Sequence, residues 1–554
     1  MRSFRRHLLA AIMVFVLTAI TACSGSSGGG NASNGPNATS QEGSEEAAQA
    51  KGPFGKYDKP ITVKTVKRVE NNTKFKQGES IENNIWTRTF ENELGIKLSF
   101  DWIVETAQFE QKMNVSISSG SLPDIFPVSA SQLQQLVEGN KLADLTKVFD
   151  EYASDMAKTL VNQDGGIGMK SATFKGKLMA IPAPGPLTDQ SHLVWVRTDW
   201  LAKLNLPEPK SLADLLKISE AFTKNDPDGN RKDDTVGLIA DKTVFDTLRG
   251  FFNINHAYPG IWIKDQSGQL VSGIIQPEVK TALAHLQKMY KDGQIDREFG
   301  VKDLTKTFET IASGKAGMVI GSMAYPLAVL QRTKDNDPNA EWKPFPLPSS
   351  DDKPVKIELN PTVSLFYAAN ENTKHPEALI KLLNMFIEKM WGATADPGTF
   401  HKSEGVEVFK YPPVTISKVK KNLEGYRALK NAFETKDISK LDVEQKTNYD
   451  SIVKFKDGDP SQWGYYMVFG EGGSQSVIDA YDQNNMFIFN EFIGAATPTM
   501  VQKGATLNKL VLETFTKIIM GDEPVDQFDT FVEQWKKLGG DSITREVNES
   551  MASR

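Results

Sequence analysis

"ITVKTVKRV", residues 61–69, alternates apolar and polar side chains with the two-residue period of a half-buried strand. "NNIWTRTFENELG", residues 83–95, reads as a helix stopped by Gly95, and "IKLSFDWIV", residues 96–104, returns to strand alternation. Strand, helix and strand in that order open an α/β fold, because two parallel strands need a crossover between them.

The same alternation continues along the chain. Pro376 opens a helix with Leu379, Leu382, Leu383 and Phe386 on one face, and Pro277 opens another that stops at Gly293. Near the end, Val525, Phe528, Phe531, Val532, Trp535 and Leu538 form an apolar stripe closed by Gly539 and Gly540, and are expected in a core. Two Pro-rich stretches lie between strand-like runs, at residues 176–201 and 344–370. Neither suits a central strand, and both suit crossings between two lobes.

The ends and composition bound the location. Arg2, Arg5 and Arg6 precede an apolar run from Leu8 to Ile20, the pattern of a signal peptide over residues 1–22. That run is shorter than the roughly 20 residues that span a bilayer. Cys23 is the single cysteine and follows small residues, so no internal disulfide is open to it. Residues 23–56 are mostly Ser, Gly, Asn, Ala and Glu, a flexible tether unable to bury enough surface to fold. A G-x-S-x-G match at Gly25–Gly29 falls in this tether, with no strand or helix beside it, and implies no hydrolase. The remaining five hundred or so residues can fill two cores. A net charge of -6 argues against nucleic acid as a partner.

Residues 225–237, "NDPDGNRKDDTVG", carry four carboxylates. Counting Asp226 as the first position of an EF-hand-like loop places Asp228 third, Asn230 fifth, the Lys232 carbonyl seventh and Asp234 ninth, the alternation calcium requires. Arg231 stands at the sixth position, where such loops use Gly, and Gly237 at the twelfth, where they use a bidentate Glu. Asp233 and Thr235 are candidate auxiliaries. The residues alone fit a solvated Asx-type turn equally well.

The chain resembles the sugar-binding group of extracellular solute-binding lipoproteins of ABC importers, family 1, LipO-like and similar to alginate-oligosaccharide-binding proteins. The markers stand in family order: Asn84 to Arg88 before Leu94-Gly95-Ile96, Ser119 to Ile125, Gly176-Lys177-Leu178 with Ile181-Pro182, and Arg197 to Leu201. The acidic loop follows, then Ala496 to Met500 and the segment from Trp535 to Glu549. The resemblance implies a two-lobed periplasmic-binding-protein-like α/β fold of type II, with a ligand cleft between lobes that close by hinge motion. Lobe 1 would be residues 57–183 with a return from about 355, lobe 2 residues 184–354, and the C-terminal helices to 554 are not assigned to either. Ile20-Thr21-Ala22-Cys23 resembles a bacterial lipobox, implying a Cys23 lipid anchor at the outer face of the cell membrane, and the family resemblance further implies a permease partner, a monomer and a structural calcium ion in the acidic loop.

Sugar faces are C–H surfaces edged by hydroxyls, so a sugar site needs exposed aromatic planes with Asn, Asp, Gln or Arg at the rim. Nine Trp are present. Trp535 and Trp200 read as packing residues. Trp86, with Asn83 and Asn84, lies at a helix N-terminus after the first strand, either a ligand position or core. Trp463, Tyr465 and Tyr466 lie in an expected loop and are the best stacking candidates. Trp262, in a hairpin strand, allows either role. Asp124 in a turn, Gln190 and Arg197 in the first crossing, and Ser322 after a strand complete the candidates; Ser322 also suits a helix cap. The function expected is capture of a sugar or oligosaccharide for a membrane permease, not catalysis. A peptide receptor is the nearest alternative. A secreted glycoside hydrolase needs a carboxylate pair that no spacing here singles out.

Overall fold

The computed structural model describes residues 50–70, 73–360, 363 and 365–552. The signal peptide, Cys23 and residues 24–49 lie outside the described residues, whereas residues 50–56, expected in the tether, pack against the folded chain: Ala50 is buried, Lys381 donates to the Gly52 and Gly55 carbonyls and Asn384 to that of Pro53.

Strands Ile61–Val69 and Ile96–Glu105 pair in parallel, with a register shift between Thr65 and Val66. Between them, Asn84 caps the helix Ile85–Thr89, accepting from the Trp86 and Thr87 amides, and a π-helical turn, Phe90–Leu94, ends at Gly95. Gly95 has φ 70°, and a Cβ there would lie 2.6 Å from the Tyr57 carbonyl oxygen, so both conformation and space require glycine.

A second sheet takes its centre from a distant part of the chain. Strand Phe366–Ala369 runs antiparallel to Ile125–Val128 on one side and to Ile181–Pro182 on the other. A third sheet has the order Trp342–Phe345, His192–Arg197, Ala316–Ser322, Val236–Leu238. Pro127, Pro182 and Pro344 all lie in outer strands, where a missing N–H costs no ladder bond. Ile357–Leu359 pairs in parallel with Phe487–Phe489.

Burial divides the apolar interior. One core runs from Ala50 to Ile181 and takes in Phe366 to Ile416; its helix Glu377–Trp391 is almost wholly buried. The other takes in Leu193 to Ile357 and Leu423 to Val547, so the C-terminal helices pack there, around Phe515, Phe528, Phe531 and Trp535. A small cluster of Leu187, Leu359 and Val419 joins three segments that pass between the two cores. The apolar stripe ends sooner than its spacing predicts. The helix breaks at Gly539, with φ 149°, Gly540 abuts the Trp535 ring, and Leu538 is left 45% exposed. Among the described residues no helix is long and apolar enough to cross a membrane.

Candidate ligand-binding site

A cavity of about 380 Å³ lies between residues of the two cores. One wall is Glu110 from helix Thr106–Ser119, Ser129 to Ser131 at the start of helix Ala130–Glu138, and Ile167 and Ser171 from helix Ile167–Ser171. Asn490, Phe492, Ile493 and Gly494 form the opposite wall, and Asn360, Val363 and Phe366 come from the segment passing between cores. Asn490 holds this wall in shape. Its Oδ1 accepts from the Trp262 and Phe492 amides, and its Nδ2 donates to Asn360 Oδ1 at 3.2 Å. Trp262 meets Phe492 edge to face, ring centroids 6.3 Å apart.

Val363 also borders a second cavity, lined by Arg68, Asp164, residues 183–187, Gln190, Thr415 and Ser417, where the crossing segments meet. Asp164 accepts from the Gly166 and Gly168 amides, and burial raises its pKa despite them.

The crossings carry buried polar chemistry of their own. Arg249 donates to the Gln190 carbonyl on the first crossing and faces Glu358 on the second, Nε to Oε1 at 3.8 Å. Asn253 Nδ2 donates to Glu358 Oε2, and the Gly260 backbone lies so close that a Cβ would come within 2.6 Å of that carboxyl. Burial pushes Glu358 up to about 7, against the opposing pull of Arg249. His192, buried and next affected by Arg249, is held well below the usual imidazole range. Asp189 accepts from Asn422 Nδ2 at 2.6 Å, and burial pushes it up to about 6. Sequence inspection missed Asn360, Asn490, Phe492, Arg249 and Glu358. The one available signal is the position of Asn490 and Phe492 directly after a short apolar strand.

The sequence candidates scatter. Trp86 is fully buried between Phe386 and Phe400, and Asn84 spends its side chain as a cap, so both are corrected to structural roles. Asn83 is exposed and accepts from Arg88. Asp124 ties two strands, accepting from the Lys64 amide. Arg197 is 2% exposed, chelates Asp199 through Nε and Nη2, and lies over the Trp200 ring; burial removes it from the ligand set. Ser322 Oγ accepts from the Ala324 amide and caps the following turn. The stretch holding Trp463, Tyr465 and Tyr466 is a helix, Trp463–Phe469, and not a loop. Helical periodicity there turns Trp463 inward to 2% exposure and stacks Tyr466 on Phe455, while Tyr465 packs half-buried against the same core. Trp262 and Gln190 are the two candidates beside the cavities.

In the acidic loop, Asn230 Nδ2 donates to Asp228 Oδ2 at 2.7 Å and Asp234 Oδ1 at 3.0 Å, placing a partial positive charge between two carboxylates. Burial, then its acidic neighbours Asp226 and Asp234, raises the Asp228 pKa. Asp226 Oδ1 is enclosed without a partner. Arg231 adopts φ 62°, making the left-handed turn that Gly makes elsewhere. At Gly237 a Cβ would lie 2.2 Å from Ser219 Oγ, so no carboxylate fits the twelfth position, and Thr235 Oγ1 already donates to the Phe222 carbonyl. Lys203 holds the Pro227 carbonyl and Lys315 pairs with Asp234. No group of three or more His, Cys, Asp or Glu converges as a metal site among the described residues. The loop's oxygens are of the type calcium takes, and the one enclosed carboxylate oxygen without a partner among its described residues, Asp226 Oδ1, is the observation in favour of a cation there.

Comparison with known proteins agrees with this architecture. Residues 72–393 match the family described as bacterial extracellular solute-binding protein. The polygalacturonan/rhamnogalacturonan-binding protein YtcQ of Bacillus subtilis is 24% identical over 457 residues, 82% of this chain and 85% of that protein. Lipoprotein LipO of the same organism is 23% identical over 475 residues, 83% and 87%. Among solved structures, an HMO-binding, ABC-transporter-associated solute-binding protein of Bifidobacterium longum infantis superposes with TM-score 0.59 at 15% identity, covering 89% of this chain and 98% of that one. Alginate-binding AlgQ2, solved without its calcium ion, gives 0.54 at 17% identity over 89% and 98%. An EF-hand mutant of the Streptococcus pneumoniae substrate-binding protein FusA gives 0.53 at 15% identity over 89% and 100%. With a family match over more than half its length and this two-lobed α/β fold, the chain belongs to the bacterial extracellular solute-binding proteins.

Proposed function

We propose that this protein captures a carbohydrate outside the cell and hands it to the permease of an ABC importer. The observation that carries the reading is the lining of the cavity between the cores. Ser129, Ser131, Asn360 and Asn490 offer neutral hydroxyl and amide partners, and Phe492, with Trp262 behind, offers aromatic surface. Hydroxyls edging a C–H face need that mixture. Gln190 and Trp262 stay in the proposed ligand set. The polygalacturonan/rhamnogalacturonan-binding name of YtcQ favours carbohydrate over peptide, and both it and the Bifidobacterium protein are named as binding proteins.

The lobes of this reading are residues 57–183 with a return segment after about 355, and residues 184–354 with the C-terminal helices. Closure about the three crossings encloses the ligand. Export by residues 1–22 and lipidation of Cys23 hold a monomer at the membrane surface. Asp226, Asp228, Asn230, the Lys232 carbonyl and Asp234 hold a structural calcium ion, a role consistent with the EF-hand and calcium named for FusA and AlgQ2.

Thermal unfolding against panels of oligosaccharides and peptides tests the function. A solute at about 100 times its Kd adds roughly 2.7 kcal/mol and raises the midpoint. Stabilisation by peptides and by no glycan would sink the carbohydrate reading, and release of shortened sugar during incubation would make the protein a hydrolase.

A further inference from the structure

We propose that the cavity on the far side of Trp262 is a second sugar subsite, which takes the part of a glycan chain that extends beyond the cavity between the cores. The inference rests on the carbohydrate reading above and adds a site to it.

This second cavity has a volume of about 340 Å³, and its apolar walls, Phe245, Met500 and Trp535 among them, belong to the core of the C-terminal helices. It adjoins the first cavity in two ways. The segment that lines the first cavity from Asn490 to Ala496 runs directly into helix Pro498–Met520, whose Met500 and Asn508 line the second. Trp262 stands between the two. Its amide donates to Asn490 Oδ1 at 2.9 Å, its carbonyl accepts from the Glu491 amide, and its ring meets Phe492 edge to face.

The lining carries hydrogen-bonding groups that no described residue answers: the indole N–H of Trp262, that of Trp535, the Ser272 hydroxyl and the Asn508 amide. Trp86 and Trp342 also leave Nε1 unbonded, but there the atom is sealed in the core. In Trp262 and Trp535 it is not sealed, although Trp535 is only 5% exposed, so each N–H is left to whatever enters the cavity. Aromatic surface edged by free donors matches the C–H faces and hydroxyls of a sugar ring.

Gly504 is an independent sign. It lies inside helix Pro498–Met520, where glycine is less favourable than alanine, and a Cβ there would meet nothing within 4 Å. No described neighbour therefore requires glycine. The residue lines the cavity one turn from Met500 and one turn from Asn508, on the same helix face, and its bare backbone lets a ligand lie close against the helix.

The test titrates the full chain with size-fractionated digests of pectin, galactan, fructan and starch, dimer through hexamer, by calorimetry. In the series that binds, affinity is expected to rise about tenfold once the chain outgrows the first cavity, the effect of a few added contacts. Asn508→Ala and Gly504→Leu should abolish that rise and leave the binding of the shortest fragments unchanged. Both sites face open space, and Ala and Leu are the better helix formers, so the unfolding midpoints should be unchanged or raised. Variants that bind long fragments as tightly as the natural chain, or that weaken short and long fragments alike, overturn the second subsite and leave the carbohydrate reading intact. Binding that does not strengthen with length does the same. Failure of every fragment to bind overturns both.

Discussion

The carboxylates of residues 226–234 and those at the crossings are the same chemical group in opposite surroundings. In the loop, Asp228 and Asn230 are exposed, and the acids face one another through an amide bridge. At the crossings, Glu358 is 3% exposed and its partners, Arg249 and Asn253, come from over a hundred residues away in the chain. An exposed acid cluster costs little and orders when a cation arrives. A buried acid must be answered by the fold itself or keep its proton.

The largest effect separating the two regions is expected from Arg249→Ala. It leaves Glu358 without its guanidinium and the Gln190 carbonyl without its donor, and should cost about 3 kcal/mol at pH 8: about 1.4 kcal/mol from Glu358, which with a pKa of about 7 takes up a proton instead of staying unpaired, and about 1.5 kcal/mol from the hydrogen bond. Urea unfolding at pH 8 and pH 5 checks this, because protonated Glu358 needs no cation; an equal loss at both pH values would dismiss the charge argument.

Next in size is the pH dependence of the intact chain. The folded pKa of Glu358 lies above its ordinary value of 4.5, near 7, so its contribution to stability is complete below about pH 4.5 and is lost as pH rises through 7. At 1.36 kcal/mol per pKa unit this amounts to about 3 kcal/mol at most. Glu358→Gln should flatten the stability profile across that window, and an unchanged slope would reassign the titration to another group.

Calcium probes the exposed region. Saturation to about 100 times the Kd should add about 2.7 kcal/mol, read as a chelator-sensitive midpoint, and the double variant Asp226→Asn, Asp228→Asn should remove that sensitivity. A chelator effect surviving in the variant would place the ion elsewhere. The smallest expected effect is Asn230→Ala in chelator, under about 0.5 kcal/mol, since bonds among exposed groups contribute little. A larger loss would mean that the loop is ordered by its own amide bridge and needs no cation.

The same contrast explains what could be read in advance. Alternation over 61–69 and 96–104, with Gly95 between, identifies a parallel pair because strand period and helix stop are local properties. The acidic loop's donor spacing is legible for the same reason, whereas Arg231, a departure from glycine in the sequence, takes the left-handed turn only in the folded loop. Trp463 was misread and Trp86 left open between ligand and core because burial is decided by partners: Phe386 and Phe400 lie some three hundred residues from Trp86, and no local pattern announces them. Asn490 and Asn360 met the cavity through a hydrogen bond across 130 residues, equally silent in sequence.

By itself, then, the sequence determined the class of fold, the Pro-rich stretches between lobes and the donor spacing of the acidic loop, since each depends on side-chain period, proline placement or residue order within a short window. Which aromatics line the cavity and which acids are buried were decided by tertiary structure alone. Those properties depend on desolvation and on distances between segments far apart in the chain, which exist only once the two cores have formed and the crossings have met at Leu187, Leu359 and Val419.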